Sequence, residues 1–154
     1  MTSQALLREL NQDVWEPFRS AYRDLDAAGF LALHGPDLIR VTAATGEIRD
    51  HAGYTADITS FFERVAANGD AIAIEFRFTE RNASDGASSE RGLFRITMRR
   101  SGVPKEVHGH FHVFCRKTDR WRIAVDYEPD EDDTATAGAF AAAAAQDDLA
   151  AFDR

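Results

Sequence analysis

Three histidines, His108, His110 and His112, alternate along the sequence. Alternate residues of a β-strand share one face and lie about 6.5–7 Å apart. Two imidazoles at that spacing can chelate a transition metal, and Glu75 or Asp126 could add an oxygen ligand. Arginines predicted on the same face place positive charge beside the histidines, which disfavours a bound dication. We therefore predict no metal and no cofactor, and keep the three-histidine site as a weaker alternative.

Three side chains are candidates for acid–base chemistry: Glu90, His110 and Asp126. Strand alternation places Glu90 on the apolar face near the rim of the sheet, where burial would raise the pKa of its carboxyl. A cross-strand pair of His110 with Asp126 could orient the imidazole as a base, but no nucleophile is predicted beside it. The alternative is structural, with Glu90 at a solvated strand end and His110 in a polar ladder. No catalytic residue is therefore assigned.

Aromatic side chains form the third candidate set, because ligand pockets are mostly apolar with a few polar groups. Eight of them could line such a pocket: Trp15, Tyr22, Tyr54, Phe62, Phe76, Phe94, Phe111 and Tyr127. The alternative is that these rings only fill a close-packed core. The single cysteine, Cys115, falls on the same face and is predicted to be an inert buried thiol.

The length of 154 residues suits one domain with a substantial core. The net charge of −8 arises mainly from the C-terminal part, because eight acidic residues and one basic residue follow position 127. In the middle strands, arginines are interleaved with acidic residues while the aromatic residues face inward, which argues against nucleic-acid binding. No apolar run reaches the ~20 residues of a membrane helix, and no secretory leader is visible. We expect a cytoplasmic protein.

The helices that would position these residues show a three-to-four residue apolar spacing. The first helix is predicted from the apolar positions Leu7 to Leu25 with Ser3 as a candidate N-cap; Pro17 predicts either a kink there or a helix that starts near Asp13. Asp26 is predicted to cap a short helix that ends by residue 33, and a strand is expected over residues 38–42. A longer helix is predicted over residues 50–67, ending at Asn68-Gly69.

After residue 70 the apolar period changes from 3.6 to 2, which predicts four antiparallel strands near residues 71–79, 89–100, 106–117 and 120–127. A one-residue slip would send every side chain to the other face, so the apolar pattern constrains the register. The predicted inner row is Phe76, Phe94, Phe111 and Val125. The predicted outer row is Glu75, Arg95, His110 and Asp126.

The last residues differ in character from the rest of the chain. We assign residues 1–128 to one α+β domain and residues 129–154 to an acidic, alanine-rich tail. Alanine favours helix, so a marginal helix could dock through Phe140, Leu149 and Phe152. Termini order poorly without packing partners, however, and a frayed tail is the expectation.

Several short stretches stand out along this order of elements: Trp15 and Phe18 in the first helix, residues 28–33, Gly53-Tyr54, and residues 111–117 and 120–123. With the order of elements, they resemble the nuclear transport factor 2-like superfamily, in particular its SnoaL-like members and domains of unknown function. The resemblance implies a cone in which a curved antiparallel sheet packs against three N-terminal helices, with a pocket between them. It also implies a homodimer formed through the outer sheet face. Some relatives are isomerases, dehydratases or cyclases, and others only bind or associate.

Two functions follow from this reading. The first is binding of a small apolar ligand in the cone, where any chemistry would be proton transfer of isomerase or lyase type. The second is a non-enzymatic homodimeric association module that uses the outer sheet face. The candidate residues for that face are Glu75, Arg77, Leu93, Arg95, His110, His112 and Phe114.

Overall fold

The computed structural model describes residues 3–130 and 133–153, which form one mixed sheet and a cluster of helices. The helices are α1 (Ser3–Leu10), α2 (Glu16–Asp24), α3 (Ala27–Leu31), α4 (His51–Ala67) and α5 (Ala137–Ala142), with a π-helical turn at Asn11–Trp15 and a 3-10 turn at Leu149–Phe152. The strands are β1 (His34–Thr42), β2 (Glu47–Arg49), β3 (Ala71–Ala83), β4 (Ala87–Arg100), β5 (Val103–Lys117), β6 (Trp121–Glu128) and β7 (Ala144–Ala145). Their order in the sheet is β2-β1-β6-β5-β4-β3-β7. None of the described helices is long and apolar enough to cross a membrane.

The first helical run is interrupted by the π-helical turn that precedes Pro17. Pro17 lies in the first turn of α2 and has no backbone N–H to donate to the turn before it. The carbonyl of Asp13, four residues earlier, accepts a hydrogen bond from the Arg120 guanidinium at 3.3 Å instead. Trp15, at the end of the π turn, is fully buried and packs on Phe76 with ring centroids 4.8 Å apart. In place of the predicted kink at Pro17, the structure has a π turn just before it, and this turn brings Trp15 into contact with the sheet.

Two side-chain caps fix the next helices. The Asp26 carboxylate accepts from the backbone N–H of Gly29 at 3.0 Å, and the Asp50 carboxylate accepts from Gly53 at 2.8 Å. Each satisfies an N–H that a helix start leaves without a partner. The predicted short helix after residue 26 and the predicted helix over 50–67 are confirmed, with α4 ending at Ala67.

The predicted pairing of β3 with β4 is confirmed. Phe76 lies opposite Phe94, and Glu75 lies opposite Arg95 with their ion pair at 2.7 Å. A bulge between Phe78 and Glu80 then shifts the register by one residue. An extra residue in one strand reverses the faces beyond it, so β3 presents Arg81 inward after the bulge.

The predicted pairing of β4 with β5 is wrong by two residues. Phe94 lies opposite Gly109, and Phe111 lies opposite Gly92. The cause is a two-residue turn at Ser101-Gly102, where both residues have positive φ, 52° and 78°. A shift of two residues leaves every side chain on its predicted face, which explains why the apolar pattern did not reveal it.

The predicted pairing of β5 with β6 is also wrong. Ile123 pairs with Cys115, and a bulge at Ala124 then places Val125 opposite Phe114. Beyond this bulge the faces are reversed, so Asp126 is buried while Tyr127 is 37% exposed. Asp126 therefore does not belong to the outer row, and Tyr127 does not line the inner face.

The C-terminal segment follows the sheet rather than fraying. Phe140 of α5 is buried between the guanidinium groups of Arg77 and Arg95, at 5.6 and 4.9 Å from its ring centroid. The two residues of β7 then pair with the outer strand β3. Asp153 accepts a hydrogen bond from Gln4 in α1 at 2.9 Å. The expectation of a frayed tail is wrong for residues 137–153, which wrap from the outer face around β3 to the helices.

Candidate functional site

A cavity of about 160 Å³ lies between the helices and the inner face of the sheet. Six of the eight aromatic residues predicted for a pocket line it: Trp15, Tyr22, Tyr54, Phe76, Phe94 and Phe111. Phe62 is buried behind it, with its ring 5.3 Å from that of Tyr22. Tyr127 lies on the outer face, because of the bulge at Ala124. The cone therefore keeps open space beneath an aromatic wall.

One end of the cavity is charged. Arg40 of β1 donates from Nη1 to Oδ1 of Asp126 at 3.1 Å and from Nη2 to Oε2 of Glu128 at 2.6 Å. Burial alone would lower the pKa of Arg40, but the two carboxylates outweigh it and raise that pKa above its ordinary value. The Asp126 side chain is 9% exposed, whereas that of Glu128 is 28% exposed. Asp126 is thus a buried carboxylate held by one arginine at the cavity wall.

Two tyrosines line the same cavity. Neither Tyr22 nor Tyr54 makes a side-chain hydrogen bond to any part of the chain that the structure describes, although both residues are buried. Burial raises the pKa of Tyr22 to about 12 and that of Tyr54 well above its usual range, and nearby carboxylates add to both shifts. Both phenols therefore remain protonated near neutral pH and can donate a hydrogen bond to a guest molecule.

The arrangement can bind a polar group or move a proton. Asp126 uses Oδ1 for Arg40, and its second oxygen has no partner within residues 3–130 and 133–153. A carboxylate with an open oxygen can act as a general base, and a neutral phenol can stabilise developing negative charge on an oxygen. Asp126 was named among the acid–base candidates, but the structure places it with Arg40 and not with His110.

Glu90 belongs to a different buried network. Its carboxylate accepts from Arg81 Nε at 2.7 Å and from Trp15 Nε1 at 3.1 Å, and it is fully buried. Burial raises the pKa of Glu90, while the charge and hydrogen bonds of Arg81 oppose that rise. Arg81 also donates to the Asn11 side chain at 2.7 Å and to the backbone carbonyl of Gln146 at 3.0 Å. Glu90 thus lies in the interior rather than at the rim, and its network joins the π turn, the sheet and the C-terminal segment.

The three alternating histidines have separate partners, and His110 also borders the cavity. His108 packs edge-on against Phe140 with ring centroids 5.7 Å apart, and His112 Nε2 lies 2.9 Å from Ser89 Oγ. His110 pairs with Leu93 across the strands, and its Nε2 lies 3.4 Å from Thr134 Oγ1. Within the described ranges no three His, Cys, Asp or Glu side chains are grouped to hold a metal ion. The structure thus gives no support to the alternative metal site, and the predicted pair of His110 with Asp126 does not form.

The outer face divides into a covered part and an exposed part. Over β3 and β4, α5 covers the region of Arg77, Leu93 and Arg95, and Leu93 is buried. Over β5 and β6, Phe114 and Tyr127 are each 37% exposed. We call the exposed part the apolar band; its outward residues are Ile39, Val41, Ile48, Phe114, Val125 and Tyr127.

Three charged residues of these two networks were not among the sequence candidates: Arg40 and Glu128 at the cavity, and Arg81 beside Glu90. Alternation in the strand predicted over 38–42 does place Arg40 on the same face as the buried Leu38, so that signal was available. Glu128 and Arg81 face inward because each follows a bulge in its strand. The two-residue alternation of apolar side chains does not reveal where a bulge lies. Cys115 is buried as predicted, and burial raises the pKa of its thiol.

Solved structures of the same shape are known. A nuclear transport factor 2-like protein with a cystatin-like fold from Novosphingobium aromaticivorans superposes with a TM-score of 0.66 at 15% identity, over 89% of this chain and 88% of its own. A proposed aromatic ring hydroxylase from the same species gives 0.63 at 20% identity, over 80% of this chain and 87% of its own. A proposed calcium/calmodulin-dependent protein kinase II association domain from Xanthomonas campestris gives 0.57 at 18% identity, over 76% and 82%.

Sequence comparison adds no closer relative. No protein-family model matches the sequence, and no curated protein matches it significantly. The structural neighbours share the α+β cone, including the curved sheet and the covering helices. This chain has the nuclear transport factor 2-like, cystatin-like fold.

Proposed function

We propose that the cone binds a small, largely apolar molecule of about one ring in size. The observation that carries this proposal is the cavity of about 160 Å³, which remains open although seven Trp, Tyr and Phe rings line it. Protein interiors otherwise pack to the density of organic crystals, and a cavity of about 150 Å³ is enough to hold benzene. The volume favours a single ring or a short branched chain over a multi-ring ligand.

The lining defines how such a ligand would be oriented. Its apolar body would contact Trp15, Phe76 and Phe111, each buried CH₂ contributing about 0.8 kcal/mol. Its polar group would meet the open oxygen of Asp126 and the hydroxyls of Tyr22 and Tyr54. The aromatic wall requires an apolar surface on the ligand, and the polar end of the cavity requires a group that forms hydrogen bonds. Together they give the site specificity as well as affinity.

Proton transfer of isomerase or lyase type is the chemistry that this site would support. Asp126 would remove a proton from the ligand as general base, and Tyr22 or Tyr54 would donate a hydrogen bond to the oxygen that gains charge. The similarity in fold to a proposed aromatic ring hydroxylase is compatible with an aromatic ligand, but it says nothing about the reaction.

A titration followed by NMR tests the binding proposal. Phenol and cyclohexanol serve as probes, and the indole N–H resonance of Trp15 serves as the reporter because that residue lines the cavity. Ile96→Phe fills the cavity from β4 and should weaken binding about tenfold or more. Val107→Phe is the matched control, since Val107 is 48% exposed and lies outside the cavity. Saturable shifts in the wild type that Ile96→Phe abolishes would support the proposal, and no shift with either probe would overturn it.

Homodimeric association is the second candidate, and the apolar band favours it. Ile48, Val41 and Tyr127 lie opposite one another across three strands, beside a second row of Ile39, Val125 and Phe114. Ile48 is 67% exposed and Ile39 is 47% exposed, so both rows face outward without cover from the described chain. An apolar patch of this kind marks association sites more often than random surface.

Sedimentation velocity tests the association. Tyr127→Arg places a charge in the centre of the apolar band and should convert a dimer to a monomer. Arg99→Glu, on the exposed end of β4, changes charge outside the band and is the control. A wild-type chain that sediments as a monomer at every accessible concentration would reject this candidate.

A further inference from the structure

The charges around the cavity are not balanced. Arg40 contributes one positive charge, whereas Asp126 and Glu128 contribute two negative charges, so these three lining residues have a formal sum of −1. Arg40 lies between the carboxylates and bonds to one oxygen of each. Oδ2 of Asp126 and Oε1 of Glu128 therefore remain as acceptors, with no donor on any residue that the structure describes.

Of the two carboxylates, Asp126 is the more buried, so its charge acts more strongly on a ligand in the cavity. Its side chain is 9% exposed, so water screens it little, whereas the side chain of Glu128 is 28% exposed. A buried carboxylate is stabilised by a partner that brings both positive charge and hydrogen bonds. Arg40 supplies this to Oδ1 of Asp126, and both residues line the cavity, where Oδ2 of Asp126 is left without a described donor.

The aromatic wall suits the same kind of partner. Ring faces carry a partial negative charge and attract cations, and sets of rings recognise ammonium groups in this way. Tyr22 and Tyr54 line the cavity together with Trp15, and their phenolic oxygens can accept a hydrogen bond as well as donate one. Burial is the main reason that the pKa of both tyrosines is raised; the charges of Asp126 and Glu128 add to the rise and that of Arg40 opposes it.

We infer that the cavity selects a protonated amine: a small ring or short apolar chain that carries one ammonium group. The ammonium group binds the open oxygen of Asp126, and the apolar body lies against the aromatic wall. This inference rests on the proposed binding function and narrows its ligand class. It excludes carboxylates and other anions, which would meet Asp126 and Glu128 without a spare cation to bind them.

Three probes of nearly equal size and different charge provide the test. Benzylamine is a cation at neutral pH, benzyl alcohol is neutral and benzoate is an anion. Isothermal titration calorimetry on the full chain gives the three affinities under one buffer. We expect benzylamine to bind about tenfold or more tighter than benzyl alcohol, because its hydrogen bond to Asp126 is charge-assisted, and benzoate to bind weakest.

Asp126→Asn should reduce the preference for benzylamine to about one while benzyl alcohol still binds. Asp24→Asn is the matched control, because Asp24 is exposed and forms a surface ion pair with its neighbour Arg23. Equal binding of benzylamine and benzyl alcohol by the wild type would overturn the amine inference and leave the proposed binding function intact. Tighter binding of benzoate would overturn it too. Failure of all three probes to bind would overturn the proposed function itself, and the wild-type comparison does not depend on whether a variant folds.

Discussion

Arg40 and Asp126 lie opposite each other on the parallel strands β1 and β6, and Arg40 Nη1 donates to Asp126 Oδ1 at 3.1 Å. The pair exists because the bulge at Ala124 turns Asp126 inward, where an uninterrupted strand would place it on the outer face. A single extra residue in β6 thus delivers a carboxylate to a cavity that is otherwise lined mainly by aromatic and aliphatic side chains.

Replacement of Arg40 by methionine should destabilise the fold by about 3–5 kcal/mol, because it leaves the buried Asp126 charge without its partner. Urea denaturation at neutral pH measures this loss. Arg23→Met removes an exposed ion pair instead and should cost at most about 1 kcal/mol. Adding Asp126→Asn to the Arg40→Met chain should recover part of the loss. No recovery would mean that Arg40 stabilises by packing rather than by charge.

Gly92→Ala should destabilise the sheet by about 3 kcal/mol, the upper end for overpacking. A Cβ at this position would lie 1.9 Å from the carbonyl oxygen of Arg77 and 2.8 Å from the Cα of Phe78, both backbone atoms beside the bulge in β3. Gly86→Ala is the control, because a Cβ there meets nothing within 4 Å. Thermal denaturation of the two variants should separate them clearly, and equal melting temperatures would contradict the close strand contact.

Stability should fall in mild acid because of His34. Burial lowers the pKa of His34 to about 4, although its Nδ1–H donates to the carbonyl of Phe30 at 3.0 Å. Between pH 6.5 and that value the unfolded chain binds a proton that the folded chain refuses, so the free energy of unfolding decreases as the pH drops. Folding stability from this group is therefore present above the unfolded pKa and is lost on acidification.

His34→Phe removes this titration while keeping a ring beside Phe30 and Tyr54. Between about pH 7 and about pH 4.5, the wild type should lose about 2–3 kcal/mol more than the variant. Urea denaturation at several pH values gives both curves. Parallel curves for wild type and His34→Phe would show that His34 does not contribute.

Phe140→Ala should release the C-terminal segment from the sheet. The substitution removes a buried ring from between Arg77 and Arg95, a loss of about 3 kcal/mol when the site does not collapse. Amide hydrogen exchange should accelerate in α5 and β7 while β4 and β5 keep their protection. Phe114→Ala, on the apolar band, is the control and should leave exchange in α5 unchanged. Retained protection of α5 in Phe140→Ala would show that other contacts hold the segment.

The fold was largely predictable from the sequence, and the site was predictable only in part. Apolar spacing identified the helices, the four long strands and six of the aromatic residues at the cavity. The pairing of Phe94 with Phe111 was wrong, because a shift of two residues preserves the faces and only the turn at Ser101-Gly102 distinguishes the alternatives. Bulges have no periodic signal, so the inward positions of Asp126 and Arg81 could not be derived from alternation.

The C-terminal segment illustrates a second limit. A short run rich in alanine is marginal as an isolated helix, and its order here depends on Phe140 packing between two arginines from different strands. Whether a marginal helix is ordered depends on contacts with residues far away in the sequence, and composition gives no information about those contacts.

The pairing of β7 with β3 affects whether folded molecules can aggregate through the edge of the sheet. An unpaired edge strand exposes a row of backbone N–H and C=O groups, and these can pair with a strand from another molecule. Here β7 occupies part of that row at Arg77 and Phe78. At the opposite side the sheet ends in the three-residue β2, which carries Glu47 and Arg49. The partial cover by β7 and the shortness of β2 thus limit strand-by-strand aggregation, and loss of residues 143–153 would expose more of the longer edge.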